Sequence, residues 1–229
     1  MFGILTVMID TTKDELYLFD KVKKSRVFTN IVNLFELDKK SVLDVGCSEG
    51  HYLACFGPES VGVTIIDEHI EAGRKRGLTI VSKNVESPEF LMDGQKFDAI
   101  WANNFFEHMN APHTFLMKMK ESVKPDGVLV LGVPVIPYFT FLGNFRKFGG
   151  AYAVSHVNFF YRKTLIETVK ASGWKIQEAR LFYMKNPLLD WFFNFIAPHI
   201  YVVATLDPNF KYAEKRLKSL RGYEDFKED

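Results

Sequence analysis

Val42-Leu43-Asp44-Val45-Gly46-Cys47-Ser48-Glu49-Gly50-His51-Tyr52-Leu53 is a short apolar run that enters a turn of small residues and leaves toward a helical pattern. A turn of this kind needs glycine, because the backbone must take positive φ and pass close to a ligand, while a helix N-terminus beyond it offers free N–H groups. Working outward, β-type runs recur at Ser41–Val45, Ser60–Ile65, Leu78–Ser82, Phe97–Trp101 and Val128–Val133. Helical stretches at His51–Phe56, Glu68–Arg76, Glu86–Met92 and Pro112–Val123 separate them. Strands spaced by helical crossovers predict a parallel sheet covered on both faces, with ligands collecting at the carboxyl ends of the strands.

Upstream, Leu16, Phe19, Val22, Val27, Ile31, Leu34 and Phe35 recur at mostly three- and four-residue steps, which predicts one or two amphipathic helices before Asp38. Downstream of Pro134 a Pro-, Gly- and Phe-rich stretch runs to about Asn158, longer than an ordinary connection. A helix over Lys163–Ala171, stopped by Gly173, and strand-like runs at Lys175–Tyr183 and His199–Leu206 complete the pattern, with one more helix expected near Tyr212–Leu220.

Composition narrows the function classes. The 229 residues suggest one domain, large enough to fold without disulfides or a structural metal. Apolar residues make up 47% and charged residues 25%, which excludes wholesale disorder. Twenty-nine basic and 28 acidic residues leave a net charge of +1, so no global field attracts nucleic acid, and no nucleic-acid partner is expected. Two cysteines, Cys47 and Cys55, form no disulfide framework, and the expected compartment is the reducing cytoplasm. The apolar start, Met1 to Ile9, lacks a basic leader and reads as part of the fold. Leu188 to Leu206 is interrupted by Asp190, Asn194, Pro198 and His199, which argues against a spanning helix.

The ligand can be narrowed at the glycine turn. A dinucleotide fingerprint aligned on Gly46 would need glycine where Ser48 and His51 stand, and no Gly-Lys-Ser/Thr follows as a phosphate loop requires. The stretch L-D-V-G-C-S-E-G at 43–50 resembles the first motif, LDVGCGxG, of class I S-adenosylmethionine-dependent methyltransferases, with Ser48 in place of the middle glycine. F-D-A-I-W-A-N-N-F-F-E-H-M at 97–109 resembles that family's fourth strand and following loop, V-K-P-D-G-V-L-V-L-G-V-P at 123–134 the turn into the fifth strand, and H-V-N-F-F-Y-R-K-T-L at 156–165 a segment common after it. The resemblance covers about residues 30–206. It implies an α/β, Rossmann-like, seven-stranded, mostly parallel sheet with helices on both faces and a C-terminal antiparallel strand pair. On that reading residues 1–37 form a helical cover and 38–207 the cofactor-binding domain. Aromatic inserts occupy 134–160 and 184–198, and 208–229 are a charged tail.

The resemblance also implies a cofactor, S-adenosylmethionine, with S-adenosylhomocysteine as product, and a methyl group transferred to a small-molecule acceptor at oxygen or nitrogen. The residues it implicates in cofactor binding are Asp44, Gly46, Cys47, Ser48, Gly50, Thr64, Ile65, Asn84, Val85 and Asn103. Asp44 would meet the amino-acid end of the cofactor. Thr64 stands where the family usually places an acid for the ribose hydroxyls, and Asn84 where it often places an acid for the adenine amino group. Those two neutral groups leave open a non-catalytic cofactor-binding or regulatory protein of the same fold.

Because the sulfonium is already activated, the protein has mainly to align the acceptor, and oxygen or nitrogen acceptors often also need a base. His108 and His156 are the candidates, since His108 follows the fourth strand at its ligand-facing end and His156 follows the long aromatic loop. His51 would orient the turn; His69, His113 and His199 have no supporting context. No His/Asp/Glu spacing matches a metal site, so the expected mechanism is metal-free. Eight aromatics between Pro134 and Phe160 favour an apolar or aromatic acceptor, whereas Arg146 and Lys147 would suit an acidic one. Trp191, Phe192, Phe193 and their neighbours over 186–198 suit a peripheral membrane or partner contact, and with it a lipid or lipid-linked sugar acceptor. Acceptor identity and oligomeric state are not encoded in any motif.

Overall fold

The computed structural model describes residues 11–212, apart from 88, 89, 91, 93, 140, 142–148 and 195. The expected helix near Tyr212–Leu220, the start Met1–Ile9, and Phe145, Arg146, Lys147 and Phe148 therefore lie wholly or almost wholly outside the described residues.

Two helices open the described chain, α1 (Thr11–Lys24) and α2 (Arg26–Phe35). The Ser25 hydroxyl accepts from the Phe28 N–H at 3.3 Å and starts α2, and Glu36, in the left-handed region at φ 53°, ends it. Phe28, Ile31 and Val32, at the i, i+3, i+4 spacing of one helix face, bury against the sheet beside Trp101.

The sheet order is β3 (Ile80–Ser82), β2 (Val61–Thr64), β1 (Val42–Val45), β4 (Phe97–Asn103), β5 (Val123–Ile136), β8 (His199–Leu206) and β7 (Trp174–Arg180). Pairings from β3 through β5 are parallel; β8 runs antiparallel to both β5 and β7. The expected seven strands gain an eighth, the two-residue β6 (Phe160–Tyr161), which pairs with the end of β5. Within β5, Lys124-Pro125-Asp126-Gly127 form a register shift between the Phe97↔Val123 and Ala99↔Val128 pairings, so the regular ladder of β5 begins at Val128.

One sheet face buries Phe115, Leu116 and Met119 of α4 (Pro112–Ser122) with Leu165 and Val169 of α5 (Arg162–Ala171), and the other carries α2 and Trp101. A smaller cluster seats Ile70 of α3 (Asp67–Lys75) on Ile80 and Leu53. Central strands buried on both faces explain the near-continuous apolar runs.

Two expected helices are absent. His51–Phe56 forms a turn and a short 3₁₀ segment at Leu53–Cys55, because Gly50 at φ +87° and the Gly57-Pro58 pair bound it too tightly for a regular helix. Glu86 and Ser87 lie in a turn and bend, since the Asn84 side-chain oxygen accepts from the Glu86 N–H at 2.9 Å and closes an Asx turn; Phe90 and Met92 are not helical either. Conversely, the aromatic insert contains a helix, α6 (Pro187–Phe193). Among the described residues no helix is long and apolar enough to cross a membrane.

Candidate functional site

The first turn leaves β1 at the carboxyl rim of the sheet. Gly46 has φ +71°, and a Cβ there would run into the Phe105 ring, so both the backbone conformation and the packing demand glycine. Ser48, where the resembling motif has glycine, also takes positive φ, at 51°. A serine in this region stores about 1 kcal/mol of strain.

Beside the turn lies a hollow of about 290 Å³, at the small end of the range for ligand sites. Its walls combine Gly46 and Ser48 from the turn, Thr64 and Ile65 from the end of β2, and Asn84 and Val85 from the segment after β3. Six of the ten residues implicated in cofactor binding thus meet around one space. The other four sit elsewhere. Asp44 lies beneath the turn and is buried; Cys47 packs inward against Gly62 and Leu53; Gly50 packs on Leu78; and the Asn103 amide donates to the Tyr52 hydroxyl at 3.0 Å. Val63, Ile66, His69, Lys83, Glu86, Phe105 and Met109 complete the walls. Sequence reasoning passed over them because their side chains carry no pattern of their own; only their places at strand ends and in the next loop could have pointed to them.

The polar groups of the hollow are partly committed to holding its shape. The Thr64 hydroxyl accepts from the Ile66 N–H at 3.3 Å, and the Asn84 oxygen closes its Asx turn. Asp44, beneath the turn and outside those walls, is not committed in this way. One of its carboxylate oxygens has no hydrogen-bond partner, and burial pushes its pKa up to about 8 despite a hydrogen bond from the Leu53 backbone. A buried acid without a counter-charge beneath a glycine turn is suited to a cationic ligand group.

The second feature is on the loop after β4. Backbone N–H groups of Val157 and Asn158 donate to the Glu107 carbonyl at 3.1 and 2.9 Å, and the Asn158 amide donates to the Met109 carbonyl at 2.6 Å. These bonds place His156 against His108, with ring centroids 4.9 Å apart. Sequence reasoning named both histidines but missed the group between them, Glu107. Only 1% exposed, it has no hydrogen bond to either carboxylate oxygen, and lies 3.8 Å from His156 Nε2 and 4.0 Å from His108 Nε2. Burial raises its pKa to about 7, against the lowering effects of its own nearby backbone N–H and of His108. Burial also lowers that of His156. The three side chains present ligand-type atoms within 4.8 Å of one another, a spacing from which a metal ion could be held.

His199, also passed over at the sequence level, faces Asn104 with Nε2 3.0 Å from the side-chain oxygen, and burial lowers its pKa to about 4. His113 is a packing residue, with Nδ1 and Nε2 each 2.8 Å from the Ser172 and Tyr212 hydroxyls.

With this geometry in place, comparison with known proteins is decisive: residues 19–179 match the family model for a methyltransferase domain. The chain belongs to that methyltransferase family. One curated relative, a ubiquinone biosynthesis O-methyltransferase of Actinobacillus pleuropneumoniae serotype 7, is 32% identical over 102 residues, 39% of this chain and 44% of the relative. The chain thus matches less than half the length of that relative. Among solved structures, an S-adenosylmethionine-dependent methyltransferase from Clostridium acetobutylicum superposes with TM-score 0.61 at 12% identity, covering 86% of this chain and 99% of that one. Another from Mesorhizobium loti gives 0.59 at 12%, covering 80% and 99%. At such identities these likenesses show the fold. S-adenosylmethionine is the cofactor that goes with this methyltransferase family, and S-adenosylhomocysteine its product. The hollow fits it: an unpartnered buried carboxylate lies under the turn, and no lysine follows the turn's glycines to receive a phosphate.

Proposed function

We propose that the protein transfers a methyl group from S-adenosylmethionine to an oxygen of a small apolar or aromatic acceptor. The observation that carries this reading is that one turn serves two sites. Phe105 and Met109 wall the hollow, while Glu107 and His108 between them join His156 in the buried acid–imidazole cluster. In this reading Gly46, Ser48, Thr64, Ile65, Asn84 and Val85 hold the nucleoside and Asp44 its amino-acid end. The cofactor supplies a methyl group already activated on a sulfonium. The chain's own part is to seat the acceptor, exclude water and take a proton from the acceptor hydroxyl; alignment alone can be worth about 7–11 kcal/mol.

His108 and His156 are assigned the proton-accepting role. The Ser155 carbonyl, 3.0 Å from His108 Nδ1, can only accept, so Nδ1 carries the proton and Nε2 keeps its lone pair on the Glu107 side. Oxygen is favoured over nitrogen because the curated relatives are ubiquinone biosynthesis O-methyltransferases. An apolar body on the acceptor is favoured by a cavity of about 690 Å³ where Val135, Ile136, Pro137, Tyr138 and Ala197 line one part, although Arg162, Lys163, Thr164, Glu167 and Asn194 line the rest. Leu188, Leu189 and Ile196 of the neighbouring insert are exposed, which supports a contact with a membrane surface or a partner there. The domain boundaries stay as a proposal too: a helical cover to residue 37, and a cofactor-binding unit to 207.

Incubating the full chain with methyl-labelled S-adenosylmethionine and a panel of catechols, phenols and amines tests the reading. Label appearing on a phenolic oxygen, and lost in His156→Ala, supports it. Tight S-adenosylhomocysteine binding by titration calorimetry, with no transfer to any acceptor, would instead favour a non-catalytic cofactor-binding protein.

A further inference from the structure

The acid–imidazole cluster has a geometry that proton transfer alone does not require. Glu107 sits on the short 3₁₀ turn after β4, almost wholly buried, with both carboxylate oxygens lacking a hydrogen-bond donor. A carboxylate buried this way is costly unless a cation meets it, and among the described residues no lysine or arginine forms an ion pair with it. What faces it instead are two imidazole nitrogens, His156 Nε2 at 3.8 Å and His108 Nε2 at 4.0 Å. Both distances are too long for hydrogen bonds.

We propose that Glu107, His108 and His156 form a three-ligand site for a divalent first-row transition cation of the zinc type, with a further position open toward the acceptor.

Four observations converge on it. Two imidazole nitrogens and one carboxylate oxygen are the donor set of open, three-ligand cation sites. Ligand bonds of about 2.0–2.2 Å in tetrahedral array put donor atoms about 3.4 Å apart. The two glutamate–imidazole distances, 3.8 and 4.0 Å, therefore need to close by about half an ångström, and all three ligand atoms already lie within 4.8 Å of one another. The His108 ring is already oriented as a ligand, since its Nδ1–H donates to the Ser155 carbonyl and leaves the Nε2 lone pair on the cluster side. Finally, the backbone bonds from Val157 and Asn158 to the Glu107 carbonyl fix the two contributing segments against each other, so the set is built before any ion arrives. Glu107 is buried and His156 mostly so, while the His108 side chain is more than a third exposed, which leaves one side of the cluster open. The metal-free expectation came from sequence spacing, which could not show this set because two ligands are adjacent and the third lies beyond the long aromatic segment.

Only the service of the ion to the reaction rests on the methyl-transfer reading. There, a bound ion would replace the imidazoles as the proton-removing device of that reading: an acceptor hydroxyl at the open position would lose its proton to solvent more readily, its oxygen keeping the electron pair, while both imidazoles serve as ligands.

The test uses the full chain, stripped with a chelator and dialysed, without cofactor or acceptor. Titration with Co²⁺ is followed by visible absorption, then Zn²⁺ is added in competition. Expected are one Co²⁺ per chain, an absorption band of low-coordinate cobalt that zinc abolishes, and affinity about a hundredfold weaker in Glu107→Gln. His108→Asn, altered at the most exposed ligand, should show the same loss, with circular dichroism confirming that each variant is folded. No uptake, or uptake equal in wild type and both variants, overturns the proposal. Because neither cofactor nor acceptor is present, that failure would leave the methyl-transfer reading untouched, and loss of methyl transfer would leave a positive cobalt titration standing.

Discussion

Replacing Asp44 with asparagine should change how the ligand-free protein responds to pH. An unfolded aspartate titrates near 3.9, whereas burial holds Asp44 near 8 in the folded chain. Between those values the unfolded state has lost a proton that the folded state keeps. Stability contributed by the neutral acid is therefore complete below about pH 4 and is lost as pH rises toward 8, at about 1.4 kcal/mol per pH unit. From pH 5.5 to 7.5 the residue alone should cost the wild type about 2–3 kcal/mol, to order of magnitude. Asparagine nearly keeps the shape and cannot ionise, so Asp44→Asn should lack that slope whatever its absolute stability. Urea unfolding of both proteins at pH 5.5, 6.5 and 7.5, without cofactor, gives two lines whose difference cancels every other titrating group. Parallel lines would refute the claim that Asp44 is buried without a counter-charge. A second readout follows if the carboxylate meets a cationic ligand group: binding of S-adenosylhomocysteine at pH 7 should release a proton, detectable by calorimetry in buffers of different ionisation enthalpy.

Three further outcomes are expected. Thr64→Asp should tighten S-adenosylhomocysteine binding about ten- to a hundredfold in titration calorimetry, because a carboxylate can both accept from the Ile66 N–H and bind a ribose hydroxyl through a charge-assisted bond; unchanged affinity would mean that this wall of the hollow does not face the ribose. Arg180→Met should destabilise the fold by about 3–5 kcal/mol in denaturant unfolding, since it strands Asp190, fully buried and paired with Arg180, whereas a loss below 1 kcal/mol would show that the insert is not anchored through this pair. Asp98 is held at about pKa 2: burial opposes this, but hydrogen bonds from Lys124 and Ser41 together outweigh it. Its contribution is present above pH 4 and lost as pH falls toward 2, and being partly exposed it should amount to no more than about 1 kcal/mol, read as a shallower acid-unfolding curve in Asp98→Asn.

The parts of the fold that the sequence makes legible are those where one chain segment carries its own signal. Strands β1, β2, β4 and β8 are mostly apolar runs because both sheet faces are covered, and α3, α4 and α5 show the spacing of a half-buried helix. The missing His51–Phe56 helix marks the limit of that logic: its residues suit a helix, but Gly50 and Gly57-Pro58 leave it no room to propagate. Helix α6 shows the converse. Its composition reads as a loose aromatic insert, yet Arg180 pairs with Asp190 and the Leu181 N–H donates to the Asn194 side chain, tying the insert to β7. At the site, His108 and His156 could be named from their positions after strands, while Glu107 could not. Its importance comes from burial and from the Val157 and Asn158 hydrogen bonds, which join segments distant in sequence.

The same distinction explains why the hollow and the cluster hold together as one frame. Asn84-Val85-Glu86 forms the far wall of the hollow, and the Glu86 carboxylate accepts from the Asn110 N–H at 2.7 Å, the Asn110 amide at 2.8 Å and the Ala111 N–H at 3.3 Å. From beneath, the Lys118 ammonium of α4 donates to the carbonyls of Val85, Glu86 and Ser87 at 3.1, 3.0 and 2.6 Å. One acid and one base thus tie the wall after β3 to the segment after β4, whose preceding turn presents Phe105 and Met109 to the hollow and Glu107 and His108 to the cluster. Charge-assisted bonds to loop backbone are worth about 1.5–3 kcal/mol each where they are shielded, and less where water competes. Their larger effect here is geometric, because in-line transfer tolerates little misplacement between donor and acceptor. A loop free to drift by an ångström would separate the two sites, so the positions after β3 and β4 are constrained by alignment as well as by stability.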